Sequence, residues 1–285
     1  MNYENWCSRA NPGYIIIVVD QNEYMGEVSS GGQTLAQRAS NIVSNFLTEL
    51  GICETSGTTI PRKARIAIVG YGGITNSVTI IHNRYMDDLL CDDGLPIDTI
   101  WETISDHAGG WINIECCKKR FVEPTASGSV KVLDAFRKVK SMIIAETAFS
   151  KKVNKEFDPV PIILHISTNI CPIITNECFQ IVDSIKRTKL QDGFPLLMNC
   201  ILTKDESYEL VYPHFIQKDD AIINSFFSLS SQIPNTFIQG LHSLGYYNIS
   251  SNSRALAVNP DELHALDFGL MQFGGSEPHI YRFNN

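Results

Sequence analysis

Three polar segments of this 285-residue chain carry the side chains that could do chemistry together. Asp20, Asn22, Glu23 and Tyr24 follow the apolar run 15–19. Thr125, Ser127 and Ser129 precede the apolar-periodic stretch that opens at Val132, and Thr168 and Asn169 follow the apolar run 160–166. A carboxylate, an amide oxygen and hydroxyls are hard donors, the set from which Mg²⁺ builds a near-octahedral shell, usually with one or two carboxylates. If these segments hold a metal, its ligands are Asp20, Asn22, Ser129 and Thr168. That set has a single carboxylate and balances a divalent charge poorly. The expectation is therefore no cofactor and no metal, with Asp20 accepting hydrogen bonds from loop amides and bracing its turn. The alternative is a Mg-dependent binding protein in which Asp20 works with substitute ligands such as Glu23 or Glu27.

Other reactive patterns fail on spacing. No GxSxG elbow occurs, and the seven histidines form neither HxxxH nor HExxH. His165 lies inside an apolar run and reads as a satisfied core residue. Gly70, Gly72 and Gly73 form a turn without a Walker lysine. The eight cysteines include no CxxC pair, so they read as free thiols in a reducing compartment. Lys118, Lys119 and Arg120 read as a solvated basic face, and Asp219 and Asp220 as a helix start. No enzymatic activity is expected; a hydrolase on a related α/β fold is the remote alternative.

The elements that must position these segments follow from periodicity. Runs 15–20, 64–71, 160–166 and 195–202 are continuously apolar, as strands buried on both faces are. Run 77–81 follows a Gly-Gly turn and reads as one short antiparallel edge strand. Thr34 caps a helix whose apolar positions run from Leu35 to Leu50, with Gly51 at its end. Further helices are expected around 132–143, 179–185, 219–230 and 235–244, and a short one near 97–105 in the loop-rich stretch 82–127. A strand at 255–258 precedes a helix from Pro260. The fold class expected is α/β: a doubly wound, mainly parallel, Rossmann-like sheet with helices on both faces. One domain, 1–285, is expected, with a core over 13–205 and a helical and short-strand extension over 206–285. In such sheets ligands sit beyond the carboxyl ends of the strands, where the three polar segments would gather.

An apolar strand ending in Asp20 (PGYIIIVVDQ), the IVGYGG turn, EPTASGS before a helix and IILHIS follow in an order that resembles the von Willebrand factor A domain. SFFSLSSQIP and ALAVNPDEL resemble C-terminal segments of its bacterial members. The resemblance implies a metal-ion-dependent adhesion site, DxSxS after the first strand with a Gly-Thr and an Asp-Gly pair. Here Asn22 and Tyr24 stand for the two serines, Gly128-Ser129 for Gly-Thr, and Thr168-Asn169 for Asp-Gly, so the site is degenerate. The resemblance also implies kinase and phosphatase partners.

The net charge of −8 argues against nucleic acid and anionic membrane as partners. No leader or membrane-length apolar stretch is read, and a cytoplasmic location is expected. The sequence thus predicts a protein-interaction module of the von Willebrand factor A type, binding another protein through Asp20, Asn22, Glu23, Tyr24, Thr125, Ser127, Ser129, Thr168 and Asn169, with a metal-free site.

Overall fold

The computed structural model describes residues 3–55, 57–105, 110–152, 159–170, 174–217 and 220–273. The strands are β1 (Gly13–Gln21), β2 (Ala64–Gly72), β3 (Ser77–Tyr85), β4 (Ile97–Ser105), β5 (Trp111–Lys119), β6 (Ile162–Thr168), β7 (Leu196–Leu202), β8 (Leu210–Val211) and β9 (Leu256–Val258). The helices are α1 (Leu35–Glu54), α2 (Met86–Leu90), α3 (Val132–Lys152), α4 (Asn176–Lys186), α5 (Ala221–Leu229) and α6 (Asn235–Ser243), with 3₁₀ turns at Glu23–Gly26 and Asp267–Gln272.

Seven strands form one sheet in the order β3-β2-β1-β6-β7-β9-β8. The four apolar runs are its centre. β1 is parallel to β2 and β6, and β7 to β6 and β9. Both edges are antiparallel: β3 on β2, and β8 on β9. β4 and β5 pair antiparallel as a separate ribbon.

The expected fold class is corrected accordingly. The sheet is mixed rather than mainly parallel with one short antiparallel edge. β3 is nine residues long, because pairing on β2 continues past a register shift at Ile68/Val69. The helix expected near 97–105 is strand β4. Its sequence, IDTIWETIS, is rich in β-branched and aromatic residues that fit a pleated ribbon better than a helix. The segment after Pro260 forms turns and the second 3₁₀ turn instead of an α-helix.

Side-chain alternation splits the core in two. Ile15, Ile17 and Val19 pack with Leu35, Ile42, Val43 and Phe46 of α1 on one face. Tyr14, Ile16 and Val18 pack with Phe136, Val139 and Ile143 of α3 and Val182 of α4 on the other. Thr34 and Gln37 form a capping box at the start of α1. Gly51 does not end that helix: it lies within it, where an added Cβ would meet Leu90 at 3.3 Å, so its role is close packing. The described cysteines are free thiols, with Cys7, Cys178 and Cys200 buried. Among the described residues no helix is long and apolar enough to cross a membrane.

Candidate functional site

Asp20 ends the buried part of β1 and is only 2% exposed. Its Oδ1 accepts from the Asn22 backbone N–H at 3.0 Å and from Asn22 Nδ2 at 2.6 Å, and its Oδ2 from Ser167 Oγ at 2.8 Å. Burial pushes the Asp20 pKa up to about 6, against the lowering effect of these hydrogen bonds. Asn22 Oδ1 in turn accepts from the Tyr24 N–H at 2.8 Å and caps the 3₁₀ turn. The Asn22 side chain therefore presents donors to Asp20 and spends its oxygen on the loop.

A polar chain continues inward from Asp20. Tyr71 Oη lies 3.1 Å from Ser167 Oγ and 3.0 Å from His165 Nε2. His165 Nδ1 is 2.8 Å from Asn199 Oδ1, and Asn199 Nδ2 donates to Ser230 Oγ at 2.8 Å. Asp20, Tyr71, His165, Ser167, Asn199 and Ser230 are all 2% exposed or less. Burial lowers the His165 pKa to about 4, so the ring is neutral at pH 7, and burial raises that of Tyr71 well above its ordinary value. His165 is thus the satisfied core residue expected.

The nine expected face residues come together only in part. The Asp20 loop and the 125–129 loop are joined by backbone bonds, Glu23 N–H to Gly128 O at 3.0 Å and Ser127 N–H to Gln21 O at 2.9 Å. Gly128 has φ +75°, and a Cβ there would lie 2.8 Å from Gly73 O, so the junction requires glycine. Ser129, however, gives its hydroxyl to Asn76 Oδ1 at 2.9 Å. Thr168 is buried, and its hydroxyl accepts from Ile170 N–H at 3.3 Å. Asn169 turns to Asp220 at 3.4 Å. Glu23 is exposed; Tyr24, Thr125 and Ser127 are half-buried. Of the four expected metal ligands only Asp20 and Asn22 meet. The expected face leaves out Tyr71 and Ser167, although the two-residue period places them beside Asp20 on neighbouring strands.

An open recess lies elsewhere at this end of the sheet, among the segments following β1, β7 and β9. It is a cleft of about 420 Å³ lined by Arg38, Glu206, Glu209, Asn259, Asp261 and Glu262, among others. Asn259 builds it. In a left-handed conformation (φ 44°), which asparagine tolerates, its Oδ1 accepts from Thr203 N–H at 2.8 Å. Its Nδ2 donates to Thr203 Oγ1, Asp205 O and Tyr208 O at 2.7, 2.9 and 3.1 Å. Arg38 is 6% exposed and reaches Glu206 at 3.0 Å and Glu262 at 3.2 Å. Burial raises the Glu262 pKa, and the contacts with Asn41 and Arg38 reduce the rise without cancelling it. The helix positions 38, 41 and 45 form one stripe that fastens this segment. Arg38 Nε and Asn41 Nδ2 bind the Glu262 carboxylate, and Asn45 Nδ2 its backbone oxygen at 3.2 Å. Against one arginine stand four carboxylates, Glu206, Glu209, Asp261 and Glu262, so the cleft carries a net charge of about −3 when all are ionised.

No protein-family model matches the sequence, and comparison with curated protein sequences finds no match. Solved structures similar to it include the pilus adhesin SpaC from Lactobacillus rhamnosus GG, at 11% identity and TM-score 0.45, covering 80% of this chain and 28% of that one. The minor pilin PilB from Streptococcus sanguinis shares 6% identity at TM-score 0.36 over 69% and 51%. The type V pili tip protein Mfa5 from Porphyromonas gingivalis shares 16% identity at TM-score 0.31 over 55% and 20%. The chain spans about half or less of each of these three chains. Likeness at these scores fixes neither fold nor function. The expected membership of the von Willebrand factor A family is not upheld, since no family model matches. The reading of the chain as a signalling module of that family falls with it.

Proposed function

We propose that the protein is a non-catalytic binding protein that takes a cationic side chain of a partner protein, lysine or arginine, into the Arg38 cleft. One observation carries this: the cleft is pre-formed and holds more carboxylates than its single arginine can neutralise. A pre-formed pocket spares the ordering cost of binding, and its excess negative charge favours a basic group while repelling nucleic acid. A non-catalytic role is supported by the sealing of the titratable groups around Asp20, which no substrate can reach. Binding without turnover is also what the word adhesin denotes in the pilus proteins, but the proposal does not rest on that likeness.

A peptide library presented to the full chain tests it. Lysine- or arginine-containing peptides should be enriched, their binding should weaken with salt, and Glu209→Gln combined with Asp261→Asn should abolish it while leaving the fold intact. Both side chains sit on exposed residues. Enrichment that ignores basic residues, or binding indifferent to those two substitutions, would refute the proposal.

A further inference from the structure

The stripe on α1 extends one turn beyond the cleft to Glu49, and there it meets a different chemistry. Glu49, His264 and Asp267 each offer one ligand atom, and the three atoms lie within 4.8 Å of one another. His264 Nδ1 and Asp267 Oδ2 are 3.5 Å apart. That is longer than a good charge-assisted hydrogen bond, and close to the ~3.3 Å edge of a tetrahedron with metal–ligand bonds of about 2.05 Å.

The surroundings fix the two loop ligands. Tyr246 Oη donates to Asp267 Oδ2 at 2.9 Å and lies 3.3 Å from His264 O. This outer-sphere hydrogen bond on a ligating carboxylate orients it, as such partners do in metal sites. Asp267 is 2% exposed while the His264 side chain is 41% exposed, so the carboxylate forms the floor and the imidazole the open side. Helix α1 supplies Glu49 from a rigid element, held to the same segment by the contacts of Arg38, Asn41 and Asn45 with Glu262. Cys53 follows Glu49 by one turn and feels the charges of both Glu49 and Asp267.

We propose that Glu49, His264 and Asp267 form a binding site for a divalent first-row transition ion of the Zn²⁺ or Mn²⁺ kind, with the remaining coordination positions open to water. One imidazole with two carboxylates suits these ions, whereas Mg²⁺ and Ca²⁺ favour all-oxygen shells. The site is separate from the Asp20 loop and from the acidic cleft, and it binds its ion whether or not the cleft takes a basic side chain. The competing occupant of the same space is a proton on His264, paired with Asp267.

The test uses the full chain, reduced and stripped of metal, titrated with Mn²⁺ and read by the loss of the free-ion resonance signal. A parallel titration with Co²⁺ is read by visible absorption. Saturation at one ion per chain is expected, with the weak bands of a nitrogen–oxygen shell and no thiolate charge transfer. Glu49→Gln and His264→Ala should each weaken binding by about tenfold or more, since loss of even an outer-sphere partner costs that much. Both should melt near the wild-type temperature in the absence of metal, and if His264→Ala fails to fold, Glu49→Gln carries the test alone. Cys53→Ser should bind as wild type. The absence of saturable binding, or binding unchanged in the ligand variants, would overturn the proposal. So would binding that disappears only in Cys53→Ser with a thiolate band present in the wild type.

Discussion

Tyr71 Oη and His165 Nε2 stand 3.0 Å apart in the sealed core, and with Asp20 ionised the Tyr71 hydroxyl has one proton to offer to two acceptors, His165 and Ser167. Asn199 Nδ2 donates to Ser230 and Phe226, so its Oδ1 must accept from His165 Nδ1–H. A neutral imidazole then has no proton left on Nε2. The Tyr71 proton goes to Ser167 Oγ and the Ser167 proton to Asp20 Oδ2. One proton added at Asp20 reverses the chain: Asp20 donates to Ser167, Ser167 to Tyr71, and Tyr71 to His165, so that every link is filled.

Asp20→Asn imitates that protonated state, because its amide nitrogen can donate to Ser167 while its oxygen still accepts from Asn22. The folded pKa of Asp20 is raised from 3.8 to about 6. The stabilisation from its neutral form is therefore fully present below pH 3.8 and is lost as pH rises through 6. At about 1.36 kcal/mol per unit, ionised Asp20 costs the fold about 3 kcal/mol at pH 7.5. Urea denaturation at that pH should show Asp20→Asn more stable than wild type by up to about 3 kcal/mol. A less stable variant would show that the carboxylate itself is required.

His165 carries the opposite dependence. Its folded pKa is lowered from 6.5 to about 4, so its contribution is present above pH 6.5 and is lost as pH falls through 4. Over the interval from about pH 6 down to 4 the two groups oppose each other. Wild-type stability should change little there if these groups dominate. In His165→Gln, whose amide can still serve both Tyr71 and Asn199, only the Asp20 term remains. The variant should gain stability on going from pH 7 to pH 5, by about 1–2 kcal/mol. A profile parallel to wild type would disprove the coupling.

The centre of the sheet was legible because burial on both faces leaves a continuous apolar run, as in residues 15–19 and 196–202. The ribbon of β4 and β5 was not, because IDTIWETIS carries apolar residues at spacings that suit either period, and only its β-branched content favoured a strand. At the site, Asp20 and Asn22 were legible as a turn. Thr168 rather than Ser167 is expected at the face because one residue of register decides which side chain meets Asp20. The cleft could not be read at all: Arg38, Glu206 and Glu262 are far apart in sequence and meet only when α1 packs beside the segments after β7 and β9.

Arg38 tests whether that meeting holds the cleft together. Its guanidinium is nearly buried and serves Glu206 and Glu262 at once, a forked geometry that a single ammonium cannot reproduce. Removing one partner of a buried ion pair costs about 3–5 kcal/mol, and the partial exposure of both carboxylates reduces this. Arg38→Ala should therefore lose about 2 kcal/mol in urea denaturation, and Arg38→Lys should recover only part of it. If Arg38→Lys equals wild type, the fork is irrelevant.

The last prediction concerns Mg²⁺ at Asp20. For the ion to bind there it must displace the three donors that Asp20 now accepts from, two of them from Asn22. It must also turn the Asn22 amide so that its oxygen replaces its nitrogen, which removes the cap on Tyr24 N–H. Ser129 would have to leave Asn76, and Thr168 Ile170 N–H. Each abandoned partner is a backbone or side-chain group left unpaired at a cost of about 1–3 kcal/mol where it is buried, and a single carboxylate offers too little charge in return. An ion at a hundred times its dissociation constant would stabilise the fold by about 2.7 kcal/mol, a shift that a melting curve shows plainly. We expect Mg²⁺ at low millimolar concentration to leave the melting temperature of both wild type and Asp20→Asn unchanged. A rise in the wild type that is absent from Asp20→Asn would mean that the loop opens to take the ion and that the observed brace is its resting form.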